Sequence, residues 1–338
     1  MSGLPDAPLT YMTKQKEIVV AIDGTGGDRG FLPVVNAVRF ALALYPSLKL
    51  IIFGPSDLSS ALAKAGVDAK RYEFRLASQN IPQDEDPKEV LAGYRKSAMR
   101  LAVEAVKNGE AHAVVSGGGT GPFVVLCRHI LGTIGRVRPA LCARMPSGPN
   151  HFTLMLDLGA NASSSAEDLY DFAILGNAAA KLYQGISDPR IAVLNVGTEA
   201  GKGNRLIQEA KELIRADHNL LFEGFVEANR IFCGDCDVIV TDGFTGNVAL
   251  KAAEGVASIF AKSSGIKRFF AKLACPDWLT PWQYNGSLLL GVNGIAVKSH
   301  ASAGDEALAV AMVEAAKAAQ CDLYELMKEE LERTVSKR

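Results

Sequence analysis

Asp237-Val238-Ile239-Val240-Thr241-Asp242-Gly243-Phe244-Thr245-Gly246-Asn247 joins two periodicities. The β-branched run over 237–241 predicts a buried strand. The alanine-rich stretch over 247–260 predicts a helix by its spacing. The segment therefore lies where a strand ends and a helix begins. Free backbone N–H groups and the helix dipole favour an anion there. Gly243 and Gly246 let the backbone approach a ligand closely. Asn247 and Lys251, one helical turn apart, share a face.

The same rhythm extends outward. Further strands are predicted over 17–22, 48–53, 72–75, 112–116, 140–144, 152–157, 191–195 and 220–225. Helices are predicted over 32–45, 58–64, 87–107, 123–131, 165–182, 202–215 and 304–319. Such alternation implies an α/β fold of three layers, α/β/α, with a largely parallel sheet. It is read as one domain over 17–338, after a loose polar tail at 1–16. Ligands of such sheets bind beyond the carboxyl ends of the strands. The glycine clusters fall there, at 22–28, 116–121, 157–161, 195–204 and 242–247. Together they predict a cleft of main-chain amides and small polar side chains.

Composition narrows the function. The chain has 338 residues, 48% of them hydrophobic and 22% charged, as in an ordinary globular protein. The net charge of −1 supplies no field for nucleic acid, which is not expected as a partner. No apolar run reaches the roughly 18 residues of a membrane span. The six cysteines are scattered and read as free thiols of a reducing cytoplasm. Cys233-Gly234-Asp235-Cys236 is a lone C-x-x-C without a second pair, so no metal site is expected.

Familiar nucleotide signatures are absent. A G-x-G-x-x-G would need glycine at Arg29 or Pro122, and Gly201-Lys202-Gly203 is no P-loop. Ser116 is no nucleophile elbow, because Val114 stands at the first glycine position. The rhythm breaks over 261–284. There Ile266, Phe269, Phe270 and Leu273 have helical spacing among Lys262, Lys267, Arg268 and Lys272, and both tryptophans, Trp278 and Trp282, follow. This short amphipathic insertion fits either a membrane surface, through 262–282, or a protein face.

In order, the chain carries Asp23…Gly26-Gly27-Asp28, Ser116…Gly118…Thr120-Gly121, Leu156-Asp157…Gly159-Ala160-Asn161, Asn195…Gly197…Glu199…Lys202-Gly203-Asn204, Asp242-Gly243-Phe244-Thr245-Gly246-Asn247…Leu250-Lys251 and Tyr284…Gly286…Lys298…His300. This series resembles the acyl-ACP:phosphate acyltransferases of bacterial phospholipid synthesis. The resemblance implies an isopropylmalate-dehydrogenase-like fold and transfer of an acyl group from acyl carrier protein to inorganic phosphate. It also implies a homodimer, no metal or cofactor, and a cytoplasmic protein with peripheral membrane contact. Six residues in four motifs depart from the family pattern: Gly24-Thr25 replace Ala-Met, Gly119 replaces Asn, Ala162-Ser163 replace Val-Asp, and Ala301 replaces Gly.

Phosphate attack on a thioester needs position more than a covalent nucleophile. The phosphate must be held and the tetrahedral oxyanion needs donors. The resemblance points to Lys202 for phosphate and Asn247 for the carbonyl oxygen, with the reverse assignment open. Gly26, Gly27, Ser116, Thr120, Gly121, Asn161, Gly246, Lys298 and His300 complete the expected substrate contacts. Asp23, Asp28 and Asp242 are read as turn caps, since carboxylates repel an anion. Two other readings stay open: a phosphotransacetylase-like enzyme using acyl-CoA, and a non-catalytic paralogue that binds acyl carrier protein or membrane.

Overall fold

The computed structural model describes residues 16–149, 151–261 and 281–335. In chain order the elements are β1 (Ile18–Asp23), α1 (Leu32–Leu44), β2 (Leu48–Gly54), α2 (Ser56–Lys64), β3 (Tyr72–Leu76), α3 (Pro87–Ala92), α4 (Ala98–Lys107), β4 (Ala113–Ser116) and α5 (Thr120–Ile130). There follow β5 (Ala140–Gly148), β6 (His151–Leu156), α6 (Ala166–Gln184), β7 (Arg190–Asn195), α7 (Arg205–Ala216), β8 (Leu221–Glu227), β9 (Val238–Val240) and α8 (Gly243–Ala261). The last are β10 (Ser287–Leu290), β11 (Ile295–Lys298), α9 (Asp305–Gln320) and α10 (Leu323–Val335).

The alternation over 17–338 was read as one domain. Its contacts gather in two compact units: a middle unit, chiefly Ala140–Tyr284, and an outer unit of 16–139 with Asn285–Glu332. The strands of each unit are largely parallel.

In the outer unit the strand order is β3-β2-β1-β4-β11-β10, parallel except for the β10–β11 pair. Ile18, Val20, Ala21 and Ile22 of β1 are fully buried, so side chains on both faces of the strand are covered, as helices on each face require. Helix α9 lies against β1, β4 and β11 and along α1. Its alanines 307, 309, 311, 315, 316 and 318 are buried, and small side chains permit that close approach. Helix α4 lies against β1, β2 and β4 and packs on α5.

In the middle unit the order is β5-β6-β9-β7-β8, with only the β5–β6 hairpin antiparallel. Helix α6 runs across β6 and β9. Gly176 sets its approach, because a β-carbon there would stand 2.6 Å from Val238 Cγ1.

Several boundaries moved for physical reasons. The helix predicted over 87–107 is two helices, broken where Tyr94 adopts φ 47° and restarted where Ser97 Oγ accepts the Arg100 N–H at 3.3 Å. The helix predicted from 247 begins at Gly243, because Asp242 Oδ1 caps it through the Thr245 N–H at 2.9 Å. The helix predicted from 202 begins at Arg205, capped by Asn204 Oδ1 on the Ile207 N–H at 3.0 Å. The expected amphipathic insertion falls almost wholly on 262–280, outside the described residues. Among the described residues no helix is long and apolar enough to cross a membrane.

Candidate active site

In the outer unit, β1, β4 and β11 are adjacent and parallel, so their carboxyl ends share one edge. Asp23, the last residue of β1, is buried. Its Oδ1 accepts the Thr25 N–H at 3.1 Å, the Thr25 hydroxyl at 3.0 Å and the Gly26 N–H at 3.1 Å. Its Oδ2 accepts the Ser116 hydroxyl at 2.6 Å, and Ser116 Oγ accepts the Gly118 N–H at 3.0 Å. Burial pushes the Asp23 carboxyl above its ordinary value, and these donors pull part of the way back. The side chain is a clamp between two loops, the capping role expected of it. Ser116 is the buried link in that clamp.

The loops interlock tightly. A β-carbon on Gly26 would lie 2.5 Å from Gly118 N, and one on Gly119 would lie 2.0 Å from Gln83 O. Glycine at 119 is thus what lets the segment around Gln83 close down; an asparagine would displace it. Thr120 opens α5 and the position beside Gly121 is empty space.

Lys298 ends β11, in register with Ser116. It is buried, and its ammonium donates to the Ser299 carbonyl. His300 is exposed and its Nδ1 meets Ser302 Oγ at 3.1 Å. Asn285, which the sequence reading left out, fixes this turn. Its Oδ1 accepts the His300 N–H at 3.0 Å, while its Nδ2 donates to Ser299 Oγ at 2.9 Å and to the Ala307 carbonyl at 2.7 Å. A small pocket results, lined by Gly26, Gly27, Gly30, Arg29, Gly117 and His300 among others.

In the middle unit, β6, β9 and β7 are adjacent and parallel, and again three loops leave one edge. Asp157, fully buried, organises the first loop. Its Oδ1 accepts the N–H groups of Leu141 at 2.9 Å, Gly159 at 3.2 Å and Ala160 at 3.0 Å. Its Oδ2 accepts both the backbone N–H and the side-chain amide of Asn161, each at 2.9 Å. Burial drives this carboxyl upward in pKa, against those donors.

Helix α8 docks on that loop through its glycines. A β-carbon on Gly243 would lie 2.2 Å from Asn161 O, and one on Gly246 would lie 2.0 Å from Asp157 O. Asn247 follows, with its side chain lying across Gly159. The Asp-Gly-Phe-Thr-Gly-Asn and Asp-x-Gly-Ala-Asn segments are therefore two halves of one construction. Asn161, Gly246 and Asn247 meet there.

The third loop carries Lys202. Buried Asn195 donates from Nδ2 to the Lys202 carbonyl at 3.0 Å, and Gln208 donates to the same oxygen. The Lys202 stem passes Gly197, where a β-carbon would lie 3.1 Å from Lys202 Cγ. Its ammonium stands 3.9 Å from Glu199, in an exposed pair of little energetic weight. The backbone is fixed while the charge remains available at the surface. Lys251, the other lysine of the opening stretch, pairs with Glu254 at 2.7 Å.

Comparison with known proteins decides what such a series of loops belongs to. A family model described as a fatty acid synthesis protein matches residues 18–326. The phosphate acyltransferase of Aeromonas salmonicida is 43% identical over 332 residues, covering 94% of this chain and 98% of that protein. The phosphate acyltransferase of Pseudomonas syringae pv. tomato is 39% identical over 330 residues, covering 93% and 96%. The chain belongs to the phosphate acyltransferase family. It is an acyltransferase. A phosphotransacetylase from Streptococcus pyogenes shares the fold, with a TM-score of 0.62 at 18% identity, covering 90% of this chain and 94% of that one.

For a phosphate acyltransferase, the arrangement is chemically coherent: amides, glycine backbones and a few cations stand at strand ends. Among the described residues no group of three or more His, Cys, Asp or Glu side chains could hold a metal ion. The five described cysteines are free thiols. Burial pushes the Cys142 and Cys236 thiols up to about 12, which keeps them inert as nucleophiles.

Proposed function

We propose that this chain transfers a fatty acyl group from the thioester of acyl carrier protein to inorganic phosphate, giving acyl-phosphate for phospholipid synthesis. The observation that supports it most is the docking of α8 on the Asp157 loop, which presents Asn247 over Gly159 on a rigid support. A phosphate oxygen attacks the thioester carbon, the C–S bond breaks, and the thiolate leaves with the proton that phosphate brought. Asn247 donates to the carbonyl oxygen as it becomes an oxyanion. Lys202 holds the phosphate beside it.

Gly26, Gly27, Thr120, Gly121, Asn161, Gly246, Lys298 and His300 are read as substrate contacts, with Ser116 acting through the loop it clamps. The reading includes a homodimer in the cytoplasm, meeting the membrane through 262–282.

The test is direct. Purified protein, acyl-ACP and phosphate should yield a hydroxylamine-trappable acyl-phosphate, and acyl-CoA should replace acyl-ACP poorly. No acyl-phosphate from either donor sinks the reading; preference for acyl-CoA transfers it to a phosphotransacetylase-like enzyme.

A further inference from the structure

The pocket of the outer unit contains a cation that the reading above leaves unused. Arg29 lines it beside His300, and no carboxylate is among the lining residues. Arg29 makes no hydrogen bond or ion pair with any described residue. The guanidinium lies beside the start of α9, with NH1 3.9 Å from where a β-carbon on Gly304 would stand.

Much of the remaining lining is closely packed backbone. A β-carbon on Gly27, at φ 103°, would lie 2.9 Å from Ala301 O, and Gly26 meets Gly118 as described above. An exposed guanidinium without an ion pair, beside a small recess of glycine backbone, suits a compact oxyanion seated against that recess. The planar fork of arginine matches two phosphoryl oxygens at once, which a lysine does not.

We propose that this pocket holds a phosphoryl group of one of the two reactants, with Arg29 as its principal cation. The assignment rests on the acyl-transfer reading for its choice of reactants. Two sources share the chemistry: the free phosphate that accepts the acyl group, and the phosphodiester of the pantetheine arm that carries it.

The experiment compares the unsubstituted protein, Arg29→Gln, Arg29→Lys and the surface control Arg39→Gln. Melting temperature is measured against inorganic phosphate at constant ionic strength, and turnover against phosphate and acyl-ACP separately. Phosphate should stabilise the unsubstituted protein and Arg39→Gln, and should do so roughly tenfold less effectively for Arg29→Gln. Arg29→Lys should recover only part of the effect. A KM for phosphate raised about tenfold in Arg29→Gln assigns the pocket to the acceptor, and a KM for acyl-ACP raised likewise assigns it to the carrier arm. Both KM values within twofold of the unsubstituted enzyme overturn the proposal. Should the unsubstituted protein show no turnover, the function reading fails, and phosphate stabilisation surviving in Arg29→Gln overturns the pocket independently.

Discussion

Asn247 lies across the backbone of Gly159: a β-carbon added to Gly159 would stand 3.3 Å from both Cβ and Cγ of Asn247. Gly159 also has φ 111°, a conformation that side chains other than glycine resist. Gly159→Ala therefore strains its own backbone and pushes on the amide at once. We expect a stability loss of about 1–3 kcal/mol. We also expect turnover to fall by more than the residual folded fraction explains. Urea unfolding and acyl-phosphate formation, measured on one preparation, separate the two effects.

Asp157 carries the loop on which that contact depends. Alanine at 157 removes the acceptor for the Leu141, Gly159, Ala160 and Asn161 N–H groups together. Hydrogen bonds to a charged group, left unmade in a buried site, cost far more than surface ones. Asp157→Ala should lose about 3–5 kcal/mol. The check is the urea midpoint, and a loss under about 1 kcal/mol would show that water replaces the carboxylate.

The Arg190–Asp237 pair gives the acid side of the stability curve. Asp237 is buried and accepts the Arg190 backbone N–H at 2.8 Å, Nε at 3.0 Å and NH2 at 3.0 Å. Burial works to raise its pKa, but the Arg190 bonds and charge outweigh it and hold the carboxyl below its ordinary value. The folded state thus binds this proton more weakly than the unfolded chain. The stabilisation is complete above the unfolded aspartate value of about 3.9 and is lost as pH falls through the folded one. In Asp237→Asn the acid limb of stability against pH should be shallower, by chemical denaturation between about pH 2 and 5. An unchanged limb would assign acid sensitivity to other carboxylates.

Much of this was legible in the chain because it is local. The β-branched runs at Ile18–Asp23 and Val238–Val240 declare buried strands, and the glycine clusters after them mark the ligand edge. What stayed hidden depends on distance in sequence. Asp157 gains its role from Leu141, and Asn285 from His300 and Ala307, residues no local window joins. Arg29 was visible only as a break in a glycine pattern, because an unpaired cation is recognised by the absence of partners in space. The hairpin strand β5 runs on to Gly148 through Pro146 and Ser147, where propensity gave no signal. Helix ends moved to Gly243 and Arg205 because the caps Asp242 and Asn204 set them, and a capping side chain outweighs the onset of apolar spacing.

Lys202 and Asn247 are separable by kinetics. Lys202 is fixed by its carbonyl, which Asn195 holds, while its side chain is 55% exposed. Removing that side chain leaves the loop bonds intact, so Lys202→Ala should fold normally. A lysine that holds phosphate contributes ground-state binding, and its loss should raise KM for phosphate about tenfold or more. Asn247 donates chiefly when the carbonyl oxygen becomes negative, so Asn247→Ala should lower kcat by about 100–1000-fold with little change in KM. Aspartate at 247 should be as poor, since it cannot donate when ionised. A kcat defect in Lys202→Ala with a KM defect in Asn247→Ala would reverse the two roles. Near-normal turnover in both would remove them from the reaction, leaving the helix start and the lysine loop as structure alone.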